Sequence, residues 1–284
     1  MKFGFVMPFG DAAEIADAAV VAEGAEWDAL FAWESVWGNH AWVSLTAAAM
    51  VTESLRLGTM LTPVARYKPW DLTSLVVTLD RLSGGRVILG AGLGALHGGW
   101  TAFEPDEGRR VRVERLEETL DIYAGLMQGQ PFSYQGRHYT AAPTDFFVPD
   151  PPIQRPHPPV WLVGASRAGA TSQPSLERAA RREGWLPQVI DGDFRGKPRS
   201  PEELARLAAE VRRLREDAGL DPATIDVCFE GQFHGEDATE HDVRAWADSG
   251  ATWWVEGAWG LTNDDDGRKE VSRRLTLGPP RHES

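Results

Sequence analysis

Residues 78–94, Thr78-Leu-Asp-Arg-Leu-Ser-Gly-Gly-Arg-Val-Ile-Leu-Gly-Ala-Gly-Leu-Gly94, decide the fold. The run ends a helix, turns at Ser83-Gly84-Gly85, crosses a short apolar strand over 86–90 and leaves it through a glycine-spaced loop that admits only small residues. A helix that feeds a buried strand is the repeating unit of α/β proteins. A loop at the carboxyl end of a barrel strand is where such enzymes keep their chemistry.

The same alternation extends in both directions. Upstream, strand-like 2–7 stops at Pro8, and an Ala-rich helix over 11–23 starts at an Asp11 cap. Then come a strand over 27–33, a helix over 41–52, a strand over 55–61 ended by Pro63, and a helix over 69–82 with Pro69 in its first turn. Downstream, 109–127 is a helix with Val111, Leu116, Leu120, Tyr123 and Leu126 as its buried stripe. Proline-rich 129–158 breaks the pattern. Its short aromatic strands near 132–134 and 138–139 read as a hairpin and an extended excursion; an interdomain linker would be more uniformly polar.

Alternation resumes with a fifth strand over 160–163, a helix over 175–182, a sixth strand over 185–187 and a loop over 188–199. A helix over 200–217 opens with the capping box Ser200 and Glu203. A seventh strand over 225–231, a helix over 237–248, an eighth strand over 251–256 and a short helix from 265 complete the chain. Eight strands alternating with helices predict one α/β domain over 1–284, a (β/α)₈ TIM barrel with a hairpin excursion between strands four and five. An open doubly wound sheet would want Gly-x-Gly-x-x-Gly after its first strand, and Met7-Pro-Phe-Gly-Asp11 is no such loop.

The net charge of −13 argues against nucleic-acid and anionic-membrane partners, which recruit basic patches. A single cysteine, Cys228, excludes an internal disulfide and a cysteine metal cluster, and no metal is expected. Cys228 sits in an apolar run and reads as a small buried residue, with a catalytic thiol as the alternative. The amino terminus runs straight into a strand pattern, and no window has the ~20 apolar residues of a membrane span. A cytoplasmic protein is the expectation.

Strand carboxyl ends line a barrel's site. In order they offer Pro8 and Phe9, then Trp33, Glu34 and Ser35, then 59–62 and 92–94. The second half adds 164–167, Trp185, Gln232, Phe233 and Glu256. The set is aromatic, glycine-rich and short of ionisable groups. It assembles no nucleophile–base pair or metal-ligand set. Such a mouth suits a cofactor that carries the chemistry itself. Glu34 reads either as an acid–base group whose pKa an aromatic pocket raises, or as a rim carboxylate paired with Arg66. Glu256 divides the same way. His40 is either a helix-start surface residue or a substrate-side proton donor, and His97 is comparable. Trp33, Trp37, Trp185 and Trp254 are wall or core; Arg66 and Lys68 are ligand-facing or solvated.

A set of segments carries a resemblance. They are Phe31-Ala-Trp-Glu34, Leu57-Gly-Thr-Met-Leu-Thr-Pro63, Arg66-Tyr-Lys-Pro69, Leu79-Asp-Arg-Leu-Ser-Gly-Gly-Arg86 and Leu89-Gly-Ala-Gly-Leu-Gly94. Pro159-Val-Trp-Leu-Val-Gly164, Gly184-Trp-Leu-Pro187 and Gly250-Ala-Thr-Trp-Trp-Val-Glu256 continue them. Together they resemble the bacterial luciferase-like family of flavin-dependent monooxygenases and F420-dependent oxidoreductases over nearly the whole chain. The resemblance implies a ring of FMN, or alternatively coenzyme F420, across the mouth. Trp33, Thr59, Met60, Thr62, Gly92, Leu93, Gly94 and Trp185 would surround it, with a cis peptide at Thr59–Met60. It implies a cofactor phosphate on Gly164, Ala165, Ser166 and Arg167, where strand five would open a helix. It implies a homodimer through the helices over 41–52 and 70–82, and a separate flavin or F420 reductase as a source of reduced cofactor.

The chain also departs from the family. F420-dependent sugar dehydrogenases and reductases place Asp-His after strand two, where this chain has Glu34-Ser35; a catalytic glutamate after strand four corresponds to Ala95. The leading expectation is therefore a monooxygenase using reduced FMN and O₂ on a small organic substrate, with Glu34, His40 and Glu256 as catalytic candidates. An F420-dependent reductase or dehydrogenase is the runner-up, and a non-catalytic flavin-binding protein is the alternative of another class. The excursion and the 188–199 loop would shape the substrate pocket.

Overall fold

Eight parallel strands close on themselves in a computed structural model that describes residues 1–96, 99–234 and 243–280. His97 and the first part of the helix expected over 237–248 lie outside the described residues. The staves are β1 (Lys2–Met7), β2 (Ala29–Ala32), β3 (Arg56–Thr59), β4 (Val87–Gly92), β5 (Val160–Arg167), β6 (Gly184–Asp191), β7 (Asp226–Gly231) and β8 (Trp253–Gly257). Closure is explicit at β1, where Gly4 pairs with Val255 on one side and Ala29 on the other. The (β/α)₈ barrel is thus as expected. The helices outside it are α1 (Ala12–Gly24), α2 (Ala41–Ala49), α3 (Pro69–Leu82), α4 (Arg109–Met127), α5 (Pro174–Ala179), α6 (Pro201–Asp217), α7 (Val243–Asp248) and α8 (Asp265–Leu277).

Side chains alternate across each stave. Val6, Ala29, Phe31, Ile88, Trp161, Leu186, Cys228, Trp253 and Val255 point inward and fill the lumen. Trp161 lies 5.4 Å from the Phe31 ring and 5.0 Å, edge to face, from Trp253. The barrel therefore has a solid floor below its carboxyl mouth. Outward residues such as Leu30, Leu57, Leu89 and Phe229 pack under the helices. Phe229 stacks on Trp246 of α7 at 3.7 Å.

Parity corrects two expected pocket walls. Trp185 and Trp254 both face the helix layer and are fully buried there. The Trp185 indole donates to the Gly164 carbonyl at 2.9 Å, a contact that fixes it under the helices and away from the mouth. Two boundaries also move. Strand β5 continues through Arg167 in register with β6, pairing Ser166 with Val189, so residues 164–167 do not open a helix. The expected 188–199 loop is instead the end of β6 and a short antiparallel strand, Phe194–Gly196, with Phe194 opposite Asp191.

The quoted motif is mostly structural. Asp80 is wholly buried and accepts hydrogen bonds from the Ile153 N–H (2.5 Å), the Gln154 N–H (3.2 Å) and the Gln154 side-chain amide (2.9 Å). The Arg86 guanidinium donates to the carbonyls of Ala49, Thr52 and Leu55, which end and follow α2. Those carbonyls have no helical partner and take the guanidinium instead. Glu118 of α4 accepts from the Arg137 and Tyr139 N–H groups at 2.8 and 2.9 Å. The excursion carries the expected hairpin, Tyr134–Gln135 against Thr140–Ala141, and these two carboxylates fasten it to α3 and α4. Leu116, Leu120 and Tyr123 are buried on α4 as expected, whereas Val111 and Leu126 are half-buried.

Candidate active site

Two adjoining chambers open among the carboxyl ends of the staves. The first, about 370 Å³, is lined by Trp33, Glu34, Met60, Leu61, Pro63, Trp100 and Trp259, among others. The loop after β4 closes one side. Gly94 holds φ +75°, and a Cβ there would lie 2.6 Å from the Trp100 ring and 2.7 Å from Pro63, so the chain passes only as glycine. A non-proline cis peptide forms part of the wall, at Met60–Leu61 rather than the expected Thr59–Met60. Thr59 still pairs with Ala32 in the sheet, and the Met60 N–H bonds the Ala32 carbonyl at 2.9 Å, so the chain leaves the ladder only after Met60.

Glu34 follows β2 and is held from two sides. Tyr67 donates to its Oε1, and the Thr62 hydroxyl lies 2.9 Å from its Oε2. Burial pushes the Glu34 carboxyl above its ordinary value, against these two hydrogen bonds and the charges of His40 and Arg66. The pairing with Arg66, one of the two readings of Glu34, is not formed. Arg66 donates instead to the carbonyls of Ser35 (3.1 Å) and Val36 (2.6 Å), bracing the loop that carries Glu34. Burial, then the neighbouring Glu34, pushes the Tyr67 hydroxyl up as well. His40 is exposed at the start of α2 and meets the Tyr67 ring edge-on at 6.5 Å. Glu34 and His40 thus flank Tyr67, a residue that sequence reasoning missed, although it stands in the quoted Arg66-Tyr67-Lys68-Pro69 segment.

Glu256 is turned elsewhere. Its neighbours Trp253 and Val255 face the lumen, so Glu256 points into the helix layer, fully buried. It accepts from the Phe233 N–H at 2.9 Å, and Arg274 of α8 lies 3.5 Å away. Burial pushes its carboxyl up to about 7. The mouth-facing carboxyl on this side is Glu230, two residues beyond inward Cys228 on β7. The Trp259 indole donates to Glu230 at 3.0 Å, and burial raises its pKa against that bond and the charge of Lys197. The parity of Cys228 was the signal that could have found it.

The second chamber, also about 370 Å³, shares Leu61, Gly94 and Ala95 with the first and runs toward α4. Gly92, Leu93, Ala165, Ser175, Arg109, Arg178 and Arg195 line it. Arg178 is paired with Glu117; Arg109 opens α4, whose first turn has no side-chain cap. Of the four residues expected at a phosphate, only Ala165 lines this chamber. Gly164 lies against Trp185 and Ala179, Ser166 is buried, and Arg167 is exposed with its N–H on Gln173. Trp33 lines the first chamber and donates to the Pro8 carbonyl at 2.6 Å, while Trp37, 81% exposed, walls neither of these two chambers but lines, with Trp33, a separate cleft at the ends of β1 and β2. Thr59 and Thr62 lie behind the wall, fully buried.

Fold and site together define a TIM-barrel protein with a floored lumen and a divided mouth, aromatic on one side and arginine-lined on the other. The chain belongs to the luciferase-like monooxygenase family, whose sequence profile matches residues 1–276. It is 32% identical over 142 residues to the uncharacterised protein y4wF of Sinorhizobium fredii, covering 49% of this chain and 38% of that one. It is 31% identical over 182 residues to the uncharacterised protein Mb0965c of Mycobacterium bovis, covering 62% and 54%. The chain thus spans about half or less of these relatives' length. The fold matches the F420-dependent tetrahydromethanopterin reductase of Methanopyrus kandleri (TM-score 0.75, 16% identity, 97% and 96% coverage). It also matches the oxygenating constituent of 3,6-diketocamphane monooxygenase of Pseudomonas putida, solved with FMN (TM-score 0.64, 17% identity, 82% and 67% coverage). No helix among the described residues is long and apolar enough to cross a membrane.

Proposed function

We propose that this chain is a monooxygenase that works with reduced FMN and O₂ on a small organic substrate. The observation that carries the reading is the joined pair of chambers. A flat ring with an anionic tail needs an aromatic slot continuous with a cationic one, and Leu61, Gly94 and Ala95 border both. The residues present fit FMN. Trp33, Leu61 and Trp100 would face its ring, while Arg109, Arg195 and the uncapped start of α4 would meet its phosphate. Reduced FMN, when bound, supplies the electrons that activate O₂. The chain's own tasks are to exclude water with its indole walls and to present Glu34 at the wall. His40, beside Tyr67 at the exposed rim, connects that region to solvent. Glu256, held in the helix layer, has no part in this reading.

A second reading, F420-dependent reduction, is favoured by Arg167, an exposed cation at the end of β5 beside the arginine-lined chamber. The acidic tail of F420 calls for more cations than one phosphate does. Titration with FMN, riboflavin and F420 in both redox states, followed by absorbance, separates the readings. FMN is expected to bind, and Arg109→Ala with Arg195→Ala to weaken it ~10–100-fold while leaving riboflavin unchanged. Binding of F420 alone would select the second reading. Tight FMN binding with no turnover of any substrate would make the chain a flavin carrier. The proposal extends to a homodimer through α2 and α3, which expose Val43, Trp70 and Leu82, and to a separate reductase that returns the cofactor to its reduced form. A monomer on gel filtration would remove the dimer.

A further inference from the structure

The hydroxyls around Glu34 do not supply enough hydrogens. From the chamber inward, Glu34 Oε2 contacts Thr62 Oγ1 at 2.9 Å, Thr62 Oγ1 contacts Thr59 Oγ1 at 3.0 Å, and Thr59 Oγ1 contacts the Gly90 carbonyl at 3.0 Å. Each threonine hydroxyl carries one hydrogen, and the carbonyl carries none. These contacts therefore outnumber the available hydrogens by one. Thr59 and Thr62 are both fully buried, so bulk water does not make up the difference. A protonated Glu34 does. With its hydrogen on Oε2, the chain reads acid to Thr62, Thr62 to Thr59, and Thr59 to carbonyl, and every contact holds one hydrogen. On the other oxygen, Tyr67 donates to Oε1.

We propose that Glu34 stands in the mouth as the neutral acid, and that Thr62 and Tyr67 are the positioning residues that hold it there and receive it when it ionises. Its O–H turns from Thr62 toward a basic atom of a molecule bound against the wall; the bond then breaks, the proton passes to that atom and the electron pair stays on Oε2. The Thr62 hydroxyl then reverses and donates to that oxygen. Both carboxylate oxygens keep a donor, Tyr67 on Oε1 and Thr62 on Oε2, and only the Thr62–Thr59 contact loses its hydrogen. Neither state leaves the carboxyl without partners, so one proton moves without repacking. The groups facing Glu34 are consistent with this. Tyr67 is a neutral donor, the Arg66 guanidinium is spent on the Ser35 and Val36 carbonyls, and His40 stands at the exposed rim. Burial favours the uncharged carboxyl.

Glu34's use as an acid in the reaction rests on the oxidoreductase reading above; its protonation state does not, and infrared spectroscopy reads it without cofactor. The protein near neutral pH is expected to show a protonated-carboxyl C=O band that disappears in Glu34→Gln. Glutamine matches the acid in shape, its amide donating to Thr62 and its oxygen accepting from Tyr67, so this variant is expected to fold. In Tyr67→Phe the band is expected at higher frequency, because Oε1 loses a donor, and its titration midpoint moves up, because the carboxylate loses one too. Thr62→Val is expected to move the same band. A spectrum unchanged by Glu34→Gln at neutral pH, or a band indifferent to both Tyr67→Phe and Thr62→Val, overturns the proposal. Failure to bind either cofactor with the band intact overturns the functional reading alone.

Discussion

Glu256→Gln should change how stability depends on pH rather than how the mouth works. In the folded protein burial raises this carboxyl from 4.5 to about 7. A carboxyl raised on folding favours the protonated fold. Its contribution is fully present below the unfolded value and is lost as pH climbs through about 7. At about 1.36 kcal/mol per pH unit, the shift corresponds to ~3 kcal/mol between the two ends of that window. The neighbouring Arg274 guanidinium, 7% exposed, already offsets part of the burial cost and is included in that shift. Glutamine has no proton to lose, so the variant escapes the loss. It keeps an acceptor for the Phe233 N–H and gives up the charge facing Arg274. The assay is urea unfolding of both proteins at about pH 5 and about pH 8, followed by tryptophan fluorescence. The stability difference between them should shift by ~3 kcal/mol in favour of the variant on going to the higher pH. Groups common to both proteins cancel in that difference. A difference that stays constant across the window would refute the assignment of a buried, titrating carboxyl to the helix layer.

Gly90→Ala places a Cβ 1.9 Å from the Thr59 carbonyl oxygen, backbone against backbone, and is expected to cost more than ~4 kcal/mol in thermal or urea unfolding. Asp80→Ala leaves the Ile153 and Gln154 N–H groups and the Gln154 amide without this buried acceptor, for ~1–3 kcal/mol, and should open residues 129–158 to limited proteolysis before the barrel melts.

The barrel was legible because its evidence is redundant. Apolar runs, caps and turns repeat along the chain, and α3 and α4 match the expected 69–82 and 109–127 residue for residue. Side-chain direction at strand ends was less legible, because it depends on parity counted from a known inward residue. Trp185 and Glu256 drew attention as mouth residues, yet Trp185 stands near the start of β6, away from the mouth, and each lies one step out of phase with the lumen-facing Leu186 and Val255. Glu230 lay in phase with Cys228 and was passed over. The phosphate expectation failed for a related reason. Arg167 completes a strand whose register with β6 is set by pairs as distant as Trp161 with Gly184, and no local motif encodes where that ladder stops. Tyr67 and Arg66 acquire their roles only once the loop after β3 folds back over the end of β2, contacts that span 30 and 33 residues of chain.

The tryptophan floor formed by Trp161 and Trp253 has a consequence for traffic. A vessel sealed at the bottom can be filled and emptied only from above, and nothing drains through its base.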